Sequence, residues 1–166
     1  MITYPISNIS FTGGVWQQDF NLVNNTTNNY VPYVDFNIIG ISTPNVRVIN
    51  ADNGGSGTSP ANAALFSFSS KLGADQLFTP NETSGARTVR FQDTQAVMFS
   101  WDVQVTAYVA NGTQPAGASQ GSSSSSGSTG SSSGLPTLPL TKISGVMRFT
   151  ANPLTKQVTS QLIKLN

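Results

Sequence analysis

Seven carboxylates hold whatever acid–base chemistry this chain could perform: Asp19, Asp35, Asp52, Asp75, Glu82, Asp93 and Asp102. A glycosidase needs two of them converging at a defined separation. Asp35 and Asp102 both fall on the polar side of alternating stretches, so they are the pair that could approach each other. Solvation of a strand face beside Arg87, Arg90 or Arg148 is the simpler expectation for such groups. The chain has no histidine and no cysteine. That removes the commonest general base, the commonest metal ligand, every His-dependent triad, and all thiolate sites and disulfides. The expectation is a chain that is not an enzyme, with no catalytic residues, no cofactor-binding residues and no cofactor.

Three further patterns could bind rather than catalyse. Asp52-Asn53-Gly54-Gly55-Ser56-Gly57 offers oxygen ligands on a glycine-rich loop. A Ca²⁺ site needs six to eight oxygens, often from several carboxylates. Only Asp52 is local, so it is a weak metal candidate and a plain turn is expected. Tyr30, Tyr33 and Tyr108 are candidate ligand-stacking aromatics, provided they align on one face. Trp101 belongs to an apolar face and reads as core. An isopeptide cross-link would need a buried lysine, and Lys71, Lys142, Lys156 and Lys164 sit in polar, turn-like surroundings. Asn-x-Ser/Thr triplets start at Asn8, Asn24, Asn25, Asn81 and Asn111, close to the number that chance gives in so Ser/Thr-rich a chain.

Composition narrows the partners. Charged residues make up 9% of the 166, with a formal net charge of +1, against about 25% charged in an average domain. Without a block of Lys or Arg, no nucleic acid is expected as partner, nor an anionic membrane surface. The apolar runs are a few residues long, so no membrane insertion is expected. The opening Met1-Ile2-Thr3-Tyr4-Pro5 lacks the regions of a signal peptide, which leaves open a removed leader or a different route.

The elements that must position these residues are strands. Alternation with period two recurs and no 3.6-residue period emerges. The clearest strand runs from Val97 to Val109. Val97, Phe99, Trp101, Val103, Val105, Ala107 and Val109 form one face, and Asp102, Gln104, Thr106 and Tyr108 lie on the other. Shorter strands are expected at 20–23, 34–38, 46–48, 65–68 and 89–91, separated by Asn- and Gly-rich turns that tolerate positive φ. Residues 117–134 are almost entirely Ser and Gly and predict a flexible linker or loop. After it, Ile143, Gly145, Met147 and Phe149 alternate, Asn152-Pro153 marks a turn, and 158–165 forms a last strand. An isolated hairpin is marginal in water. Residues 141–165 should therefore add two strands to a sheet edge, turning Val146 or Met147, Phe149, Val158 and Leu162 toward a core.

Several stretches are similar to known modules. Phe20-Asn21-Leu22-Val23-Asn24-Asn25-Thr26 followed by Tyr30-Val31-Pro32-Tyr33-Val34 resembles the opening of bacterial Ig-like and fibronectin type III-like modules. So do Val48-Ile49-Asn50-Ala51-Asp52-Asn53-Gly54-Gly55-Ser56-Gly57, Leu72-Gly73-Ala74-Asp75 and the run from Leu77 to Phe91. The resemblance covers roughly residues 8–109. It implies a β-sandwich in a secreted or surface protein, and it implies no active site.

The expected fold is thus all-β: an antiparallel β-sandwich, Ig-like, with a C-terminal hairpin joined through the Ser/Gly-rich segment. Three regions are expected: a sandwich core over 1–116, the linker over 117–134, and C-terminal strands over 135–166 that complete the sandwich or are donated to a neighbour. The expected role is a non-catalytic structural or adhesive module, extracellular or on a cell surface, as a subunit of a filament or stalk. Its expected partners are copies of itself or neighbouring domains of the same surface protein. The alternatives are a carbohydrate-binding module or a virion decoration protein.

Overall fold

The computed structural model describes residues 2–110 and 140–165. The fold is all-β with antiparallel sheets arranged as a sandwich. In chain order the strands are β1 (Ile2–Thr3), β2 (Ile6–Thr12), β3 (Val15–Phe20), β4 (Val23–Asn24), β5 (Tyr30–Ile41), β6 (Arg47–Val48), β7 (Ala64–Ser67) and β8 (Arg87–Gln92). β9 (Phe99–Ala110), β10 (Leu140–Asn152) and β11 (Gln157–Leu165) complete the set. One sheet has the order β11-β10-β9-β5-β7, the other β2-β3-β8-β6, and β1 pairs with β4.

Local sequence explains the turns and breaks. Gly13 and Gly14, at φ 59° and 74°, join β2 to β3 in a two-residue hairpin loop, a geometry that only glycine adopts without strain. The register of β5 against β9 shifts between Val31 and Asp35, where Pro32 has no N–H to give the ladder. It shifts again between Ile38 and Gly40. The extra residue, Ile39, reverses the alternation, so Ile38 faces Val103 and Ile41 faces Trp101 on the same inner side. The strand expected from Val97 begins at Phe99. Asp93 closes a turn ahead of it, accepting the Ala96 amide on its carbonyl and the Val97 amide on its carboxylate.

The inner faces meet through aromatic rings. Phe20 on β3 lies 4.7 Å from Phe36 on β5, and Phe91 on β8 lies 4.9 Å from Trp101 on β9. Trp16 meets Phe99 edge-on at 6.3 Å. Phe20, Leu22, Val34, Phe36, Ile38, Val89, Phe91, Phe99, Trp101, Val103, Val105 and Ala107, all on expected strands, are buried, while Val97 and Val109 at the ends of the longest run are only partly so. Each fully buried ring or branched chain contributes about 1.5–3 kcal/mol of burial, so the interleaved rings are the main cohesion between the sheets.

The C-terminal hairpin docks on β9. β10 runs antiparallel to it from Leu140 opposite Ala110 to Ala151 opposite Phe99. Phe149 is buried and stacks on Trp101 at 5.6 Å, while Met147 and Val158 pack against the core. Val146 sits opposite Gln104 on the outer face. Leu162 departs from expectation, being 42% exposed. It belongs to β11, the outermost strand of the larger sheet. The linker expected at 117–134 lies outside the described residues.

Candidate functional site

The outer face of the five-stranded sheet carries Asp35, Asp102, Tyr108 and Arg148. On β9, Ser100, Asp102, Gln104, Thr106 and Tyr108 alternate with the core residues, so the same period that buries Trp101 and Val103 turns these outward. Arg148 of β10 stands opposite Asp102. It donates Nε to one carboxylate oxygen at 2.7 Å and Nη2 to the other at 2.8 Å. This two-pronged contact is the strongest geometry a guanidinium offers a carboxylate. Donating to Asp102, and the negative charge of that carboxylate, raise the Arg148 pKa further. Beside the pair, Gly40, Ile41, Ser42 and Ser100 complete a shallow depression of about 150 Å³.

Asp35 and Asp102 do not converge. Asp35 stands opposite Thr106 and Asp102 opposite Gly40. Four residues of strand separate the two rungs, which is roughly 13 Å along β9 and wider than the carboxyl spacing of either glycosidase geometry. Burial pushes the Asp35 carboxyl above its ordinary value, a hydrogen bond from Ser67 opposes this, and the charge of Asp52 adds to it.

All seven carboxylates accept internal hydrogen bonds. Asp19 takes the Asn8 amide and the Thr88 hydroxyl. Asp75 takes the Leu77 amide. Glu82 closes its turn with the amides of Gly73 and Thr79. Asp35, Asp93 and Asp102 have the partners given above.

Asp52 pairs with Arg87 through one oxygen and accepts the Ser67 amide at 2.9 Å through the other. Arg87 also donates to the Ser67 carbonyl and lies 5.7 Å from the centre of the Phe66 ring. The loop therefore fastens β8 to β7 across the sandwich. Two of its glycines answer to packing. A Cβ on Gly55 would fall 1.9 Å from the Ala63 carbonyl oxygen, and one on Gly57 would fall 2.9 Å from Ile38 Cγ2. Among the described residues no group of three acidic, His or Cys side chains is placed to hold a metal.

The aromatic candidates separate. Tyr30 is enclosed, 1% exposed, with its ring 6.4 Å from Phe78 and its backbone bonded to Phe78 in both directions. Burial takes it out of any stacking platform. Tyr108 is half-buried on the outer face, opposite Val31 and Lys142. Tyr33 lies in β5 at the register break, and its side chain is outside the described set. The fourth tyrosine, Tyr4, packs edge-on against Phe36 and Phe149, and burial together with nearby Tyr30 pushes its hydroxyl up to about 12.

One feature was not anticipated in the sequence: the character of the sheet edges. β2 is interrupted between Ser7 and Ser10, β6 is two residues long and β7 is four. β11 has nine residues, and among the described residues no strand pairs with its outer side. Leu162 and Ile163 are 42% and 46% exposed along it. Its signal was present as an apolar strand at 158–165, but strand order is invisible to periodicity.

No helix among the described residues is long and apolar enough to cross a membrane. Compared with protein-family models, with characterised proteins and with solved structures, the chain matches none. What the geometry defines is an antiparallel all-β sandwich whose acidic groups are tied into its own framework.

Proposed function

We propose that this chain is a non-catalytic structural or adhesive module of the Ig-like kind, working outside a bacterial cell and joining to copies of itself or to neighbouring domains through β11. The observation that carries this reading is the open β11 edge. An unpaired strand edge is a template for another strand, and proteins that avoid such pairing shorten, bulge or cover their edges. The three other edges follow that rule, whereas β11 is long and presents Leu162 and Ile163. Strand addition there would extend the larger sheet by main-chain bonds, with the side chains supplying selectivity. Two equivalent edges meeting would close a dimer, and an edge meeting a different surface would propagate a filament. The internal engagement of all seven carboxylates supports the non-catalytic part.

Sedimentation of the whole chain over a range of concentrations tests this. The wild type should associate, and a Leu162→Lys, Ile163→Lys variant should stay monomeric with an unchanged melting temperature. A wild type that sediments as a monomer throughout would overturn the reading.

A further inference from the structure

The outer face of the four-stranded sheet carries a second feature, independent of the β11 edge. The chain holds its arginines in two ways. Arg87 and Arg148 face carboxylates. Arg47 and Arg90 face amides instead: Arg47 Nε donates to Gln92 Oε1 at 2.9 Å, and Arg90 Nε donates to Gln17 Oε1 at 2.8 Å. No carboxylate lies within ion-pair distance of either among the described residues, and both are exposed.

An amide oxygen on Nε orients a guanidinium without neutralising it, and the outer pair of N–H groups stays available in a planar fork. The two forks are neighbours. Arg47 stands opposite Gln92, and two residues further along the Ile49 amide bonds the Arg90 carbonyl. Arg47 and Arg90 are therefore diagonal partners on one face, about 7–8 Å apart at the backbone, with Ile49 beside them at 46% exposure.

Arg47 also borders a depression of about 340 Å³ lined by Asn45, Val46, Thr58, Gln92 and Thr94. That volume lies within the range of small-ligand sites. Apart from Val46, its lining consists of amides and hydroxyls, groups that exchange hydrogen bonds with sugar hydroxyls.

We infer that Arg47 and Arg90, with this depression, bind the carboxylate or sulfate groups of an acidic glycan. One acidic group pairs with the Arg47 fork, the ring hydroxyls meet Asn45, Thr58 and Thr94, and a second acidic group along the polymer reaches Arg90. An extended polyanion fits better than a lone anion, because two forks at diagonal positions address two charges.

Affinity electrophoresis of the full chain at low salt tests the inference, using polygalacturonate, dextran sulfate, poly-glutamate and neutral dextran as probes. Retardation by polygalacturonate identifies a carboxylate ligand and retardation by dextran sulfate a sulfate. Neutral dextran should have no effect. Arg47→Gln and Arg90→Gln should each weaken retention about tenfold, the loss of one charge-assisted contact. Arg47→Lys should weaken it nearly as much, because an ammonium lacks the fork. Lys71→Gln, an equal change of net charge at an exposed site elsewhere, should leave it unchanged. Melting temperatures identify any variant whose fold has changed. Three results would overturn the assignment: no retardation by either charged polymer, equal losses for Lys71→Gln and Arg47→Gln, or stronger retention by poly-glutamate than by both glycans.

Discussion

Replacing Phe149 with alanine would test whether the C-terminal hairpin is part of the core. Phe149 is 2% exposed and touches three rings: Phe20 at 5.5 Å, Trp101 at 5.6 Å and Tyr4 at 6.4 Å. Truncating a buried phenylalanine costs about 3–5 kcal/mol. Each well-oriented aromatic pair adds about 0.5–1.5 kcal/mol beyond area, which keeps this change off the low end of that range, at about 4 kcal/mol. With a urea m-value of about 2 kcal/mol per molar, the unfolding midpoint should fall by about 2 M. Urea titration followed by tryptophan fluorescence is a direct assay, since Trp101 stacks on the ring removed. Leu162→Ala on the neighbouring strand should cost only about 0.5 kcal/mol, as surface changes do. If β10 docks within its own chain, the midpoint of the Leu162→Lys, Ile163→Lys variant, in which association through β11 is removed, should not depend on protein concentration. A midpoint that rises with concentration would show exchange between subunits. A Phe149→Ala loss no larger than that of Leu162→Ala would refute the packing argument.

Two further outcomes follow from the carboxylates. The Asp35 pKa is raised in the folded chain by burial, so the folded state holds this proton more tightly than the unfolded state. Stability from this group is therefore fullest below the unfolded value, about 3.9, and declines as pH rises through the folded value. Asp35→Asn should accordingly be more stable than wild type at neutral pH, with the advantage fading in acid. A difference that stays constant in melts across that range would contradict the argument. Asp52→Ala should lose about 1–2 kcal/mol by stranding Arg87 and the Ser67 amide, and Ca²⁺ should not raise the melting temperature of wild type or variant. A calcium-dependent rise abolished by Asp52→Ala would instead make the loop a metal site.

The sequence was most legible where alternation is unbroken. On β9, Trp101, Val103 and Val105 could be assigned inward and Asp102 and Gln104 outward, because a sheet with one dry face enforces period two. It was less legible where the backbone breaks that period. The extra residue Ile39 turns Ile41 inward, and the interruption between Ser7 and Ser10 breaks the alternation of β2. Gln18 lies wholly buried among aromatic neighbours, accepting the Trp16 indole N–H at 2.7 Å, and a lone glutamine gives no hint of that. The candidate site was legible in its residues but not in its geometry. Arg148 could be named as a partner for a strand-face acid, while Tyr30's burial and the distance between Asp35 and Asp102 depend on which strands lie side by side. The same is true of the exposed position of β11, and of the amide-held arginines, whose partners Gln17 and Gln92 come from different strands.

The pairing of β9 with β10 bears on how this chain reaches its native state. Ala110 and Leu140 are register partners at one end of the ladder, and Phe99 and Ala151 at the other. The stacking of Phe149 on Trp101 therefore waits for a segment far downstream. Contacts of such long sequence separation slow folding, because loop closure must be met before they give any return. Until residues 140–165 arrive, β9 presents a bare edge and the Trp101 ring lacks its stacking partner. A chain emerging from a ribosome would keep that side of β9 unpaired until residues 140–165 have followed. That interval is when the chain would most need protection from aggregation.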